Sequence, residues 1–177
     1  MKQNDIGQGY VHVYTGNGKG KTTAALGLAL RAAGVWLKIF IAQFVKGLDC
    51  SELDSLALFS GSINVRRFGR NRFIIGEPEP DDISAAREGL AVVRKVIKNA
   101  EYDVVILDEA NNAVYFKLFS VNKLLEIIDQ KPEWVELIIT GRNAAAELIE
   151  KADLVTEMRE VQHYFTQGVT ARKGIEG

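Results

Sequence analysis

One cysteine, Cys50, stands among 177 residues. No intrachain disulfide can form, and no cluster of thiolates can hold zinc. That scarcity fits a reducing cytoplasm. Charge of one sign is lacking too: 22 Lys and Arg against 23 Asp and Glu leave a net charge of −1. Domains that grip nucleic-acid backbones are usually strongly basic, so nucleic acid is not an expected partner. No uninterrupted span of about 20 apolar residues is present. The most apolar stretch, residues 24–45, is broken by Arg31, Gly34 and Lys38, and no membrane association is expected. The segment before Gly9 is polar and has no apolar h-region, which reads as the absence of a signal peptide. Internal repeats, low-complexity tracts and Pro/Gly/Ser linkers are missing, so residues 1–177 read as a single domain. What is present is ordinary: 47% hydrophobic and 25% charged residues suffice for a full core and exclude wholesale disorder.

Short β-branched or apolar runs alternate with longer helical patterns. Strands are expected at 11–14, 38–44, 63–67, 104–107, 135–139 and 154–158. Several lack polar alternation, which points to burial on both faces, as in a parallel sheet. The spacing predicts a helix over 22–33, with Gly34 as its C′ glycine. A second is expected over 81–99, where Ile83, Ala86, Leu90, Val93 and Ile97 form one stripe. Ser120 is placed to cap a helix carrying Leu124, Leu125, Ile127 and Ile128, and Asn143 to cap one over 144–152. This alternation implies an α/β chain with a doubly wound, mostly parallel sheet of about six strands, whose ligands bind at the carboxyl ends of the strands. Two regions break the pattern: 66–82, basic at first and aromatic, and the polar stretch 161–177.

The sharpest signal is Thr15-Gly16-Asn17-Gly18-Lys19-Gly20-Lys21-Thr22-Thr23, between a strand and a helix. Glycines let the backbone N–H groups curl around an anion, and the helix N-terminus adds its positive end. Lys21 supplies a charge to phosphates, and Thr22 a hydroxyl for Mg²⁺. Thr15 stands where such loops usually have their first glycine, with Gly16 one step later, so an altered loop shape is expected. The second signal is Val104-Val105-Ile106-Leu107-Asp108-Glu109, an apolar strand ending in two acids. One of them is expected to serve the Mg²⁺; the spacing does not say which. Together the two motifs mark a nucleoside-triphosphate fold of RecA-like type that binds a Mg-nucleoside triphosphate. No Asn-Lys-x-Asp guanine-reading motif is present, and no Ser/His/Asp or Cys/His constellation is evident. The loop by itself leaves an ATPase or a kinase open.

Further segments match one family in order. After the loop and Arg31 come Gln43-Phe44-Val45-Lys46-Gly47, Leu107-Asp108-Glu109-Ala110-Asn111 and Thr140-Gly141-Arg142-Asn143-Ala144. Then follow 152–158, His163, Gly168-Val169 and Ala171-Arg172-Lys173-Gly174-Ile175-Glu176. The ordered set resembles the ATP:corrinoid adenosyltransferases of the bacterial cobalamin-salvage type and covers nearly the whole chain. It departs from the family at Leu48-Asp49-Cys50-Ser51-Glu52, where many members carry a tryptophan, and at Gly177, where an aromatic is usual.

The resemblance implies transfer of the 5′-deoxyadenosyl group of ATP to the cobalt of a reduced corrinoid, with triphosphate as the leaving group. It implies a homodimer, and a flavoprotein or other reductant for Co(II). Lys21 and Thr22 become the catalytic candidates, and residues 16–23 with Arg31 the nucleotide contacts. Thr22, Asp108 and Glu109 become the candidates for Mg²⁺. Gln43 and Lys46 are candidates for the corrinoid, with a plain surface position as the alternative for Lys46. So are Phe68 and Phe73, as an apolar wedge against the lower axial ligand; a place in the core is the alternative for both aromatics. Arg31 has an alternative too, as a cation favouring the C-terminal end of its helix. His163 is not expected to ligate cobalt, and His12 is expected in the core.

Overall fold

The computed structural model describes residues 7–45, 51–70, 72, 74 and 76–176. Six strands form one sheet: β1 (Val11–Thr15), β2 (Ile39–Phe44), β3 (Ile63–Phe68), β4 (Val104–Asp108), β5 (Glu136–Thr140) and β6 (Leu154–Glu157). Their order is β3-β2-β4-β5-β1-β6, and every neighbouring pair is parallel. The fold is therefore a doubly wound α/β sheet, as the alternation implies. β2 and β4 are buried throughout, in keeping with their apolar runs, with Gln43 and Asp108 as buried polar residues at their carboxyl ends, whereas β6 is exposed at the edge.

Strand parity divides the core in two. Ile39, Ile41, Val104, Ile106 and Ile138 face α1 (Lys21–Ala33), whose Ala25, Ala29 and Ala32 let the helix lie close to the sheet. Phe40, Ala42, Phe44, Val105, Leu107, Leu137 and Ile139 face the opposite layer. That layer contains α3 (Pro80–Asn99) and α5 (Val121–Gln130). Two short helices, α2 (Ser51–Ala57) and α4 (Ala110–Tyr115), are additions to the expected set; α6 (Ala146–Lys151) follows β5.

Boundaries differ from expectation where tertiary contacts intervene. Gly34 keeps right-handed angles, and the left-handed residue is Trp36, at φ +63°. Asn143 itself turns left-handed, at φ +55°, and α6 starts after Ala145. α3 gains Pro80 at its first position, and the Glu79 N–H donates to Asp82 Oδ2 at 2.9 Å. Two arginines of the basic 66–82 segment serve this helix start: Arg70 reaches Glu79 at 2.7 Å, and Arg72 pairs with Asp82. His12 is not core; its Nε2 lies 2.6 Å from Glu136 Oε1.

Phe68 ends β3 and is 5% exposed, its ring 6.0 Å from that of Phe44. Both rings lean on α3 at Gly89, where a Cβ would lie 2.6 Å from Phe68 Cγ and 2.7 Å from Phe44 Cε1. Gly89→Ala is expected to cost about 2 kcal/mol through overpacking. In urea unfolding this lowers the midpoint with an unchanged slope; a wild-type midpoint would mean that the two rings yield freely.

Candidate active site

The carboxyl ends of β1, β4 and β5 meet the start of α1. Gly16 leaves β1 at φ +94°, a conformation that side chains strain to adopt. Gly18 approaches the chain beyond β6 and donates its N–H to the Met158 carbonyl at 2.7 Å. A Cβ on Gly18 would lie 2.8 Å from that oxygen. The loop is thus turned by one glycine and backed closely by another strand's continuation. Thr15, in the usual glycine position, accepts from the Ala144 N–H at 3.2 Å and ties the loop to the turn after β5.

Lys21 is 7% exposed and curls over the loop, donating to the carbonyls of Gly16 and Gly18, both at 2.7 Å. Burial, and then the Arg142 guanidinium, push its pKa below the ordinary lysine value; Glu109 and Asp108 oppose the shift. The α1 N-terminus adds its positive end to this concentration of charge.

Asp108 is fully buried, at 0% exposure, and its oxygens are claimed from three sides. Thr22 Oγ1 donates to Oδ1 at 2.9 Å, and Thr140 Oγ1 to the same atom at 2.7 Å. Gln43 Nε2 reaches Oδ2 at a long 3.4 Å. Because β5 lies between β1 and β4, its last residue, Thr140, fills the gap between loop and acid. Thr140 also accepts from the Glu109 N–H at 3.0 Å. Glu109 takes φ +61° ahead of α4 and lines the cleft. The two acids therefore divide their tasks: Asp108 fixes the Thr22 hydroxyl, and Glu109 faces the ligand space.

That space is a cleft of about 940 Å³. It is walled by the loop, by one face of α1 (Thr23, Leu26, Leu30), by α2 and by residues 174–176. Arg142 enters it from the β5–α6 turn, which Asn112 fixes by accepting the Arg142 N–H at 2.7 Å. Asn111 holds the neighbouring Gly141 carbonyl at 3.1 Å.

Residues 17–23 and Glu109 come together at the cleft, as the motifs suggest. Arg31 does not: it lies in the last turn of α1, ten residues and about 15 Å along the helix from Lys21. Its charge acts there on Tyr14. Gln43 is buried beneath Asp108 and supports the acid, away from any open face. Phe68 belongs to the core, so the wedge does not fall to it. Lys46, Phe73 and Cys50 lie outside the described residues. Sequence reasoning gave no role to Thr140 or Asn112 and foresaw for Thr15 only an altered loop shape; the available hints were Thr15 and Thr140 within their quoted motifs.

The donor set suits Mg²⁺. Among the described residues, no cluster of three or more His, Cys, Asp or Glu could cage a metal. A hydroxyl held 2.9 Å from a buried carboxylate, beside a phosphate loop, matches a hard cation carried by substrate phosphates and one or two protein oxygens. Thr140→Val removes the hydroxyl shared by Asp108 and the Glu109 N–H. It is expected to cost about 1–3 kcal/mol in stability and to weaken ATP binding, measured by chemical denaturation and titration. Thr140→Ser should restore both; wild-type behaviour of the valine variant would remove this bridge from the account.

The matches to known proteins are consistent along the chain. The model of the family described as ATP:corrinoid adenosyltransferase BtuR/CobO/CobP matches residues 7–177. The corrinoid adenosyltransferase of Escherichia coli (strain K12) is 34% identical over 175 residues, covering 96% of this chain and 86% of that protein. The Pseudomonas aeruginosa corrinoid adenosyltransferase is 32% identical over 170 residues, covering 96% and 84%. Corrinoid adenosyltransferase CobA of Salmonella typhimurium is 31% identical over 175 residues, covering 96% and 86%. From the phosphate loop to residues 171–176, the chain belongs to the ATP:corrinoid adenosyltransferase family and is an enzyme of that kind.

Proposed function

We propose that this enzyme transfers the 5′-deoxyadenosyl group of ATP to the Co(I) of a reduced corrinoid, releasing triphosphate. The product is adenosylcobalamin or adenosylcobinamide. The observation that carries the reading is Lys21, a buried ammonium closed over a loop of the type that cradles polyphosphates. The cobalt electron pair of the substrate attacks ribose C5′. The C5′–O bond breaks, and its electrons leave on the terminal oxygen of triphosphate. Co(I) has no proton to lose, so the chain needs no general base.

The protein's part is electrostatic. The loop N–H groups, Lys21 and Arg142 surround the place where negative charge gathers on the departing oxygen. Thr22 and Glu109 are the residues that would hold the Mg²⁺ accompanying ATP, with Asp108 fixing the Thr22 hydroxyl; the ion supplies further neutralisation of the leaving group. A single domain over 1–177, a homodimer, a flavoprotein or other reductant for Co(II), and a cytoplasmic location belong to the same reading. Family likeness supports the dimer and the reductant, and the scarcity of cysteine supports the compartment. No helix among the described residues is long and apolar enough to cross a membrane.

A phosphate-loop ATPase or kinase is the competing reading, favoured by the position of Glu109 at the cleft, where a carboxylate can orient a nucleophile. Incubation with Mg-ATP, cobalamin and a strong reductant separates the two. The expected products are a light-sensitive Co–C species and triphosphate in equal amounts, and Lys21→Ala should lower the rate by about a hundredfold or more. ADP with inorganic phosphate, and no alkylated cobalt, would overturn the proposal.

A further inference from the structure

The motif Ala171-Arg172-Lys173-Gly174-Ile175-Glu176 has no task in the chemistry above, yet it sits at the cleft. After Met158 the chain passes behind the phosphate loop, forms a 3-10 turn at Tyr164–Gln167 and returns to bring Ile175 and Glu176 into the cleft wall. This hook is stapled internally. Glu176 accepts from Arg172 Nη2 at 3.0 Å, from the Arg172 N–H at 2.7 Å and from the Tyr164 hydroxyl. The Arg172 guanidinium lies over the Tyr164 ring, 5.1 Å from its centre. Arg172, followed by Tyr164, holds the Glu176 carboxyl far below the usual carboxylate range, so it is ionised at neutral pH.

The junction with the loop is of another kind. Beyond the Met158 backbone contact, the polar link among the described residues is Lys19. Its Nζ donates to the Ile175 carbonyl at 2.6 Å and to Glu176 Oε1 at 3.3 Å. The Lys19 side chain is 43% exposed, and ion pairs in such settings are weak and screened by salt. Phosphate oxygens are stronger, multiply charged acceptors. A polyphosphate in the loop would also repel the ionised Glu176.

We infer that Glu176 is a built-in competitor for Lys19: it pins the hook to the phosphate loop, and a polyphosphate binding there takes Lys19 and releases the hook. The hook leaves as a unit, because Arg172 and Tyr164 keep it stapled after Lys19 lets go. Its departure clears the mouth of the cleft for the bulky second substrate. Glu176 is thus a positioning residue acting through Lys19. The inference rests on the polyphosphate reading of the loop.

The test uses inorganic triphosphate with Mg²⁺ as probe. Binding is followed by titration, and backbone hydrogen exchange is followed across residues 164–176. Triphosphate is expected to speed that exchange at least about threefold. Glu176→Gln keeps the side chain's shape and removes the competing charge. It should bind triphosphate about two- to fivefold tighter and show a fast-exchanging hook without ligand. A purely structural role for Glu176 would loosen the hook without tightening triphosphate. Exchange that is unchanged or slowed on binding, or a glutamine variant that binds equally or more weakly, overturns the inference and leaves the adenosyl-transfer reading standing. Failure of the wild-type chain to bind triphosphate at all would overturn both.

Discussion

A buried carboxylate is costly unless donors surround it, and the site is organised by how Asp108 meets that demand. Thr22 comes from the start of α1, Thr140 from the end of β5 and Gln43 from the end of β2. Three elements distant in sequence are thereby referred to one side chain on β4. A shift of α1 along the sheet would break the Thr22 bond, and a shift of β5 would break the Thr140 bond. The position of the phosphate loop relative to the acids is therefore a property of the sheet.

The packing beneath explains how this precision is kept. The small side chains of Ala25, Ala29 and Ala32 let α1 approach the sheet closely on one face. On the other, Gly89 admits Phe44 and Phe68 against α3. Phe44 closes β2 one residue after Gln43, so core packing and the support of Asp108 share a strand end. The loop is held from outside as well, by the Met158 backbone that continues the exposed edge strand β6.

What could be read in the sequence followed local rules. The six strands declared themselves by apolar runs, α3 by its stripe, and the loop by glycines between a strand and a helix. What could not be read depended on partners far along the chain. α4 is six residues long and begins at a left-handed Glu109 that is bonded to Thr140. No periodicity announces so short a helix. Gly34 does end α1, but with right-handed angles, and the left-handed residue of the turn is Trp36, which is 84% exposed. Arg31 and Gln43 stand in motifs, yet one sits a helix length from the loop and the other beneath the acid. A motif fixes a residue's neighbours in the chain; its facing partner is decided by strand order. With β5 inserted between β1 and β4, the hydroxyl of Thr140 became as much a part of the site as the loop itself.

The two carbonyls that Lys21 engages in the loop carry a consequence for affinity. Within the loop the cation already has its acceptors, and the curve is set by the left-handed Gly16. An arriving anion therefore exchanges one set of contacts for another on a standing scaffold and does not have to organise a floppy one. A cradle preset in this way would give a polyphosphate its contacts without first having to be folded into shape.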